Sequence, residues 1–335
     1  MGRSKILIIG PAWVGDMVIS QSLLKLLRRQ EPEAAIDVVA PSWSGPLLTR
    51  MPEVRRTIAL DVGHGELGLV RRWQLGRALR GERYDRAIVL PRSLKSALVP
   101  FFADVPHRTG FRGELRYGLL NDVRSLDKGR LDQTVKRFLA LGLSSEAPLP
   151  EPPPPALTVD GENLWSLRRE LRLSDSAKVV ALMPGAAYGP AKCWPIEYFG
   201  ELADRLGAAG VEAWILGSAA DAGAGEEIRR IANGARNLCG KTRLEDTVDL
   251  LSVARAAVTN DSGLMHVAAA AGTHVVALYG STSPDFTPPL TTARTVHYLS
   301  LDCSPCFRRE CPLGHLRCLR EIKPEAVFSS VIQTI

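Results

Sequence analysis

Short apolar runs alternate with amphipathic stretches along most of the chain. The apolar runs predict strands over 5–9, 36–40, 56–60, 87–90, 178–183, 211–216, 256–259 and 275–278. A periodicity of about 3.6 residues predicts helices over 17–29, 69–80, 197–209, 244–254, 264–271 and 324–335. Strands that alternate with helices are typical of a parallel sheet covered on both faces. We therefore predict an α/β fold of doubly wound sheets.

A proline-rich segment interrupts this alternation once. Residues 147–155 read APLPEPPPP, which forms neither a helix nor a central strand and instead predicts a semi-rigid spacer. The spacer divides the chain into a first domain over 1–150 and a second over 156–323. We expect the remaining segment, 324–335, to form a short amphipathic helix that packs back on the first domain.

Composition narrows the protein class. A chain of 335 residues with 45% hydrophobic and 23% charged residues fits two globular domains and excludes a disordered or coiled-coil protein. No apolar run is long enough for a signal peptide or a spanning helix, so we expect a cytoplasmic protein. Residues 1–150 contain 24 basic and 15 acidic side chains, against 18 and 21 in the remainder. This excess predicts an anionic partner for the first domain, which by charge alone is a phosphorylated small molecule, nucleic acid or a membrane surface.

Two loops of the second domain are suited to binding a phosphate. Residues 261–266, DSGLMH, follow a strand and open a helix, whose N-terminus attracts anions, and His266 lies one turn further on. Residues 184–195 form a small-residue loop in which Lys192 can neutralise a diphosphate. An ordinary helix cap with a partly buried histidine, and a solvated surface lysine, are the alternatives.

In the first domain the loop after the first strand contains Asp16. This loop lacks the spacing G-x-G-x-x-G of a dinucleotide site, and a lone carboxylate there is either a helix cap or a general base. Basic residues that we place on loops are candidates to bind an anionic substrate: Arg92, Lys95, Arg108 and Arg112. A solvated basic surface is the alternative. Nucleic acid is not expected, because few aromatic residues lie among these cations.

Four cysteines crowd into one segment near the end of the chain. Cys303, Cys306, Cys311 and Cys318 have the spacing C-x2-C-x4-C-x6-C, with His315 close by. Zinc held by these four cysteines is one interpretation, but the gaps are irregular. Reduced structural thiols in a proline-containing loop are the favoured interpretation. No D-x-D spacing, which would hold a cation to a diphosphate, is present, so we expect no cofactor and no catalytic metal.

Taken together, these motifs resemble those of bacterial ADP-heptose:lipopolysaccharide heptosyltransferases. The resemblance rests on Gly15-Asp16 after the first strand, on GPAK-x-WP ending at Pro195, and on DSG-x-x-H ending at His266. It runs in order over nearly the whole chain. The segment 303–315, CSPCFRRECPLGH, is similar to that of the heptosyltransferase II branch.

The resemblance implies a fold and a reaction. It implies a GT-B architecture, in which two Rossmann-like domains face each other across a cleft. The first domain would bind the acceptor, a lipid A that carries Kdo and heptose, and the second would bind ADP-heptose. The implied reaction is inverting transfer of L-glycero-D-manno-heptose onto the first heptose of the lipopolysaccharide inner core. Because that acceptor is a lipid, we expect peripheral contact with the cytoplasmic face of the inner membrane.

The resemblance also implies roles for individual residues. Asp16 would be the general base, and Lys192 would bind the diphosphate and assist catalysis. The remaining donor-binding residues that it implies are Ala186, Ala187, Asp221, Thr242, Asp261, Ser262, Gly263 and His266. Ala186 and Ala187 stand where relatives often carry polar residues, so only their backbone N–H groups are expected to contribute. The alternatives are heptosyltransferase I or III, another GT-B enzyme, and a non-catalytic nucleotide-binding module.

Overall fold

Two six-stranded parallel sheets form the framework of the molecule, one in each half of the chain. The computed structural model describes residues 3–63, 65–174 and 178–335. The chain divides into two compact units, Met1–Pro155 and Ala156–Ile335. The division falls at the end of the proline-rich segment.

The first unit contains a sheet of order β3-β2-β1-β4-β5-β6. Its strands are β1 (Lys5–Ile9), β2 (Ala35–Ala40), β3 (Val54–Ala59), β4 (Arg86–Val89), β5 (His107–Phe111) and β6 (Asp122–Arg124). Its helices are α1 (Val14–Gln30), α2 (Gly45–Leu48), α3 (Leu69–Leu79), α4 (Leu98–Phe102) and α5 (Thr134–Leu141). The strand order reverses between β1 and β4, and ligands of such sheets bind beyond the carboxyl ends of the strands at this switch point.

The second unit repeats this topology with the order β12-β11-β10-β7-β8-β9. Its strands are β7 (Lys178–Met183), β8 (Val211–Ile215), β9 (Arg236–Asn237), β10 (Ala256–Asn260), β11 (His274–Tyr279) and β12 (Arg294–Tyr298). Its helices are α6 (Gly161–Glu170), α7 (Ile196–Ala208), α8 (Ala222–Ile231), α9 (Leu244–Val253), α10 (Gly263–Ala270), α11 (Arg317–Arg320) and α12 (Pro324–Ile332). The switch point lies between β7 and β10.

The central strands are apolar because helices cover both of their faces. Residues 179–183 of β7 and residues 6–9 of β1 are all buried, so these strands read as continuous apolar runs rather than alternating ones. This is why the sequence predicted them well. Within the described residues, no helix is long and apolar enough to cross a membrane.

The last helix packs on the second unit, which differs from our expectation. Val327 and Val331 of α12 are fully buried in the core that includes α7 and β11. An ion pair of 2.5 Å between Arg205 Nη2 and Glu325 Oε1 ties α12 to α7. The apolar face of α12 therefore completes the core of its own unit.

The proline-rich segment is not a free spacer at its end. Ser22 Oγ of α1 donates to the carbonyl oxygen of Pro153, and Lys25 Nζ donates to that of Pro154, both at 2.7 Å. Hydrogen bonds to α1 thus fix the last prolines on the first unit.

Candidate functional site

In the second unit, the loops that follow β7 and β10 meet at the switch point. Lys192, from the first loop, donates from Nζ to Asp261 Oδ2 at 2.6 Å. The two side chains are 14% and 5% exposed, respectively, so the pair is largely removed from water. Lys192 is therefore not a solvated surface lysine, and Asp261 is engaged as its counter-ion.

Two further side chains complete this cluster. Thr282 Oγ1, after β11, donates to the same Oδ2 of Asp261 at 2.6 Å. The ring centroid of Tyr188 lies 4.9 Å from Lys192 Nζ, within the range of a cation–π contact. Because an ammonium group has three donors, Lys192 can bind a phosphate oxygen while it keeps its bond to Asp261.

Asn260 holds the same two loops together, a role that the sequence alone did not predict. Its Oδ1 accepts a hydrogen bond from the backbone N–H of Trp194 at 2.9 Å, and its Nδ2 donates to the carbonyl oxygen of Pro184 at 2.6 Å. Asn260 is fully buried. A polar residue at the end of an otherwise apolar strand was the available signal, since buried polar groups need partners.

The N-terminus of α10 opens beside the Lys192–Asp261 pair. Ser262 is the N-cap residue, and its Oγ lies 3.5 Å from Thr259 Oγ1. Gly263 is the first residue of the helix, where free backbone N–H groups and the helix dipole favour an anion. The predicted strand-to-helix placement is thus what the structure shows.

His266 lies deeper than we expected from its position one turn into α10. Its side chain is buried, and this desolvation lowers the pKa of His266 to about 4, with the charge of Lys192 acting in the same direction. The negative charge of Asp261 raises the pKa of His266, but this effect is smaller than that of desolvation. The imidazole is therefore neutral at physiological pH.

The other predicted donor residues also follow strands of this sheet. Asp221 Oδ2 accepts hydrogen bonds from the backbone N–H and Oγ of Ser218, at 2.8 and 2.7 Å, before α8. A Cβ on Gly185 would lie 2.4 Å from Asp221 Oδ1, so a glycine is needed where that loop passes the carboxylate. The hydroxyl of Thr242 is buried and has no hydrogen-bond partner within the described part of the chain.

The two alanines that precede Tyr188 lie in the same loop as Lys192. Ala186 is half-buried and Ala187 is exposed. The carbonyl oxygen of Ala186 accepts a hydrogen bond from the N–H of Gly189 at 3.2 Å. Their methyl groups offer a ligand no polar side-chain atom, as the sequence indicated.

The cysteine-containing segment supports the loops of this site. The N–H of Phe307 donates to the carbonyl oxygen of Ser281 at 2.7 Å, and Tyr188 Oη donates to the carbonyl oxygen of Phe307 at 2.8 Å. The N–H of Ala191 donates to the carbonyl oxygen of Arg309 at 2.9 Å. The segment therefore binds the loop after β11 to the loop that contains Lys192.

The four cysteines themselves line one small cavity together with His315. All of their thiols are free. Across residues 3–63, 65–174 and 178–335, no group of three or more histidine, cysteine, aspartate or glutamate side chains is arranged to hold a metal ion.

In the first unit, Asp16 lies in the first turn of α1, directly beyond the carboxyl end of β1. Trp13 is the N-cap residue, so Asp16 is inside the helix and is not its cap. The carboxylate is partly buried. The positive end of the helix dipole makes the first turn a favourable place for a carboxylate, the group required of a general base.

Three of the four predicted acceptor residues lie at this same edge of the sheet. Arg92 and Lys95 follow β4, and Arg112 follows β5. Arg92 Nη2 donates to the carbonyl oxygen of Arg112 at 3.3 Å. A Cβ on Gly113 would lie 2.1 Å from the carbonyl oxygen of Arg92, so the two loops pack tightly together.

Arg108 is placed differently, and our expectation of a loop there is wrong. It belongs to β5 and pairs with Ala87 near the amino ends of the strands, at the opposite edge from Asp16. Its Nε donates to the carbonyl oxygen of Leu119 at 2.7 Å. Its guanidinium also stacks on Phe101 at 5.7 Å. Arg108 thus serves the packing of its own unit.

Arg116 is a buried arginine that the sequence analysis missed. Its Nη1 donates to the carbonyl oxygens of Pro91 and Ser93 at 2.8 and 3.2 Å, and its Nη2 donates to that of Phe111. Burial lowers the pKa of the guanidinium. Arg116 therefore fixes the loop of Arg92 and Lys95 against the end of β5.

Comparison with known proteins identifies the family of this chain. Residues 72–317 match the sequence family described as glycosyltransferase family 9 (heptosyltransferase). The chain belongs to glycosyltransferase family 9.

Relatives within family 9 match over almost their full length. The chain is 46% identical to lipopolysaccharide heptosyltransferase 2 of Escherichia coli, covering 98% of this chain and 97% of the relative. It is also 46% identical to lipopolysaccharide heptosyltransferase 2 of Salmonella typhimurium, with the same coverage. The solved structure of E. coli ADP-heptose lipopolysaccharide heptosyltransferase II aligns with a TM-score of 0.87 at 44% identity, over 98% of both chains.

These similarities test several of the predictions made from the sequence of this family 9 enzyme. The α/β fold of GT-B type and the assignment as a glycosyltransferase are confirmed. The heptosyltransferase II prediction is supported over heptosyltransferase I, heptosyltransferase III and other GT-B enzymes. A non-catalytic nucleotide-binding module is no longer a competing interpretation.

Proposed function

We propose that this protein transfers L-glycero-D-manno-heptose from ADP-heptose to the first heptose of the lipopolysaccharide inner core, with inversion at the anomeric carbon. The observation that carries the proposal is the buried Lys192–Asp261 pair at the switch point of a family 9 chain. A lysine in that position meets the negative charge of a diphosphate where such sheets bind ligands.

In the donor half of the reaction, Lys192 and the N-terminus of α10 stabilise the departing ADP. Negative charge grows on the diphosphate as the bond to the anomeric carbon breaks, and fixed donors in a dry site are most effective there. Asp261 keeps the ammonium group of Lys192 in place. Asp221 and Thr242 are proposed to contact the nucleoside, since they follow strands β8 and β9 of the same sheet.

In the acceptor half, Asp16 accepts the proton of the attacking hydroxyl group. The acceptor oxygen then forms a bond to the anomeric carbon as the carbon–oxygen bond to the diphosphate breaks, and ADP leaves from the opposite face. A positioned carboxylate contributes about a hundredfold or more to such a step. Arg92, Lys95 and Arg112 are proposed to bind the anionic groups of the acceptor.

We further propose that transfer needs no metal ion, because Lys192 and the helix N-terminus supply the charge that a cation would otherwise bring. Chelation by EDTA should leave turnover unchanged. Loss of turnover that zinc restores would contradict this proposal and would indicate a zinc site, for which the four cysteines are the candidate ligands. We propose that the protein acts in the cytoplasm, in peripheral contact with the inner membrane, and that it has no nucleic-acid partner.

The test is ADP release from ADP-heptose with a matched pair of acceptors. Both are Kdo-bearing lipid A, one with the first heptose and one without it. We expect ADP release and heptose incorporation only with the heptose-bearing acceptor. Release with the heptose-free acceptor alone would show a heptosyltransferase I activity, and no release with either would refute heptose transfer to the inner core.

A further inference from the structure

The first turns of α3 direct their apolar side chains outward. Leu69, Val70 and Trp73 are exposed, whereas Arg72 of the same helix is buried. Arg72 Nε donates to the carbonyl oxygen of Leu67 at 2.8 Å, and burial lowers the pKa of its guanidinium. A helix that packs on a core normally buries its apolar face. The reversal leaves an exposed apolar surface, the α3 patch, formed by Leu67, Leu69, Val70 and Trp73.

Hydrogen bonds join the α3 patch to the edge of the sheet that contains the proposed acceptor residues. Lys95 Nζ donates to the carbonyl oxygen of Glu66, next to the patch, at 3.0 Å. Arg71 Nη1 donates to the carbonyl oxygen of Asp61 at 2.5 Å, and Asp61 Oδ1 accepts from the N–H of Ser42 at 2.9 Å. The patch is therefore tied to the loops that follow β2, β3 and β4.

Tryptophan is unusually exposed in this unit. Trp13, Trp43 and Trp73 are all at least 40% exposed, whereas in the second unit Trp194 and Trp214 are fully buried and Trp165 is exposed. Trp13 and Trp43 follow β1 and β2, at the carboxyl ends of those strands. Tryptophan is enriched at membrane–water interfaces, where its ring meets acyl chains and its N–H meets headgroups.

Cations flank the α3 patch and favour an anionic partner. Arg71 lies in the first turn of α3, and Arg77 stacks on the indole of Trp73 at 5.7 Å. Lys95 lies beside the patch because it donates to the carbonyl oxygen of Glu66. Two carboxylates, those of Asp61 and Glu66, also lie nearby, each accepting a hydrogen bond from a backbone N–H group, and the three cations outnumber them. Apolar and aromatic side chains flanked by arginine and lysine are the pattern of helices that lie in an anionic membrane interface.

We infer that the α3 patch docks this protein on an anionic lipid bilayer, with Val70 and Trp73 inserted at the level of the headgroups. The inference rests on the proposed function, because it explains how a lipid-anchored acceptor reaches the protein. Docking by the patch presents the sheet edge of Asp16 and Lys95 to sugars that project from the same bilayer. Neither Val70 nor Trp73 belongs to the proposed catalytic or binding machinery.

The test is binding to acceptor-free vesicles of phosphatidylcholine, with and without phosphatidylglycerol. The double variant Val70→Ser/Trp73→Ser is compared with Trp165→Ser. This control removes a tryptophan of the second unit that is more exposed than Trp73 and also stacks on an arginine (Arg169, at 4.6 Å). We expect the double variant to bind anionic vesicles about tenfold or more weakly, since the inserted apolar area is lost, and the control to bind like the unaltered protein. Binding should also weaken as salt rises.

Three results would overturn the inference. They are unchanged vesicle binding by the double variant, an equal loss in Trp165→Ser, and self-association in place of vesicle binding, detected by light scattering and abolished in the double variant. Turnover with a deacylated, water-soluble acceptor should be the same in both variants as in the unaltered protein. Because the vesicles contain no acceptor, failure of heptose transfer and failure of bilayer docking are distinguished.

Discussion

Replacement of Lys192 by methionine tests two roles of its ammonium group, which are to stabilise the folded second unit and to bind the diphosphate of the donor. The change leaves the Asp261 carboxylate, 5% exposed, with the hydroxyl of Thr282 as the side-chain group that still donates to it. Removal of one member of a buried ion pair typically costs about 3–5 kcal/mol, and the partial exposure of Lys192 argues for about 3 kcal/mol. For a unit of this size that lowers the melting temperature by roughly 6–12 °C.

The same change removes a charge-assisted hydrogen bond to the diphosphate. Such a bond contributes about 1.5–3 kcal/mol, so the dissociation constant for ADP should rise by a factor of about 10–150. Calorimetric titration with ADP and thermal unfolding followed by circular dichroism measure the two effects.

A double variant and a matched control sharpen this test. Lys192→Met/Asp261→Asn leaves no uncompensated charge, so it should regain much of the lost stability and still bind ADP weakly. Lys323→Met removes an exposed lysine that lies over Tyr198 at 5.3 Å, as Lys192 lies over Tyr188, and should alter neither quantity. The reasoning is refuted if Lys192→Met binds ADP normally, or if the double variant recovers full affinity.

Three further predictions follow from burial and hydrogen bonding. Because the pKa of His266 is lowered from 6.5 to about 4, the unfolded chain binds the extra proton, and roughly 3 kcal/mol of stability should be lost as pH falls through this window. His266→Gln should show a flatter dependence in acid unfolding followed by circular dichroism, and an unchanged slope would contradict the burial argument. Arg116→Met leaves several buried carbonyls without donors and should raise the KM for acceptor by about tenfold, with the affinity for ADP unchanged. Arg108→Met should leave the KM for acceptor unchanged. Equal effects of the two variants in steady-state kinetics would contradict a specific role of Arg116 at the acceptor loop. Backbone N–H groups lower the pKa of the Cys311 thiol, whereas burial raises that of Cys239 to about 12, so iodoacetamide should modify Cys311 first, as mass spectrometry can check.

Strands that are buried on both faces were predictable because each is a continuous apolar run, which is visible in the local sequence. β7 reads KVVALM, and its predicted bounds, 178–183, are those of the strand. The positions of Asp16, Lys192 and Asp261 at strand ends were predictable for the same reason. Each follows an apolar run, and the carboxyl ends of parallel strands share one edge.

Other features depend on contacts that are distant in sequence, and no local pattern reveals them. β5 reads HRTGF and is mostly polar, so its membership of the sheet is decided by pairing with β4 and β6. Arg116 resembles any surface arginine until the fold surrounds it with carbonyl oxygens. The apolar face of α12 was recognisable, but its amphipathic pattern does not specify which core it completes.

The measurement that bears most directly on the proposed mechanism is turnover by Asp16→Asn at saturating ADP-heptose and acceptor. The amide keeps the size of the side chain but cannot accept the proton, so kcat should fall about a hundredfold or more, with the dissociation constant for ADP unchanged. Asp16→Glu should recover part of the activity, because it restores a carboxylate. Unchanged kcat in Asp16→Asn would remove the carboxylate from the reaction and contradict the assignment of Asp16 as the general base.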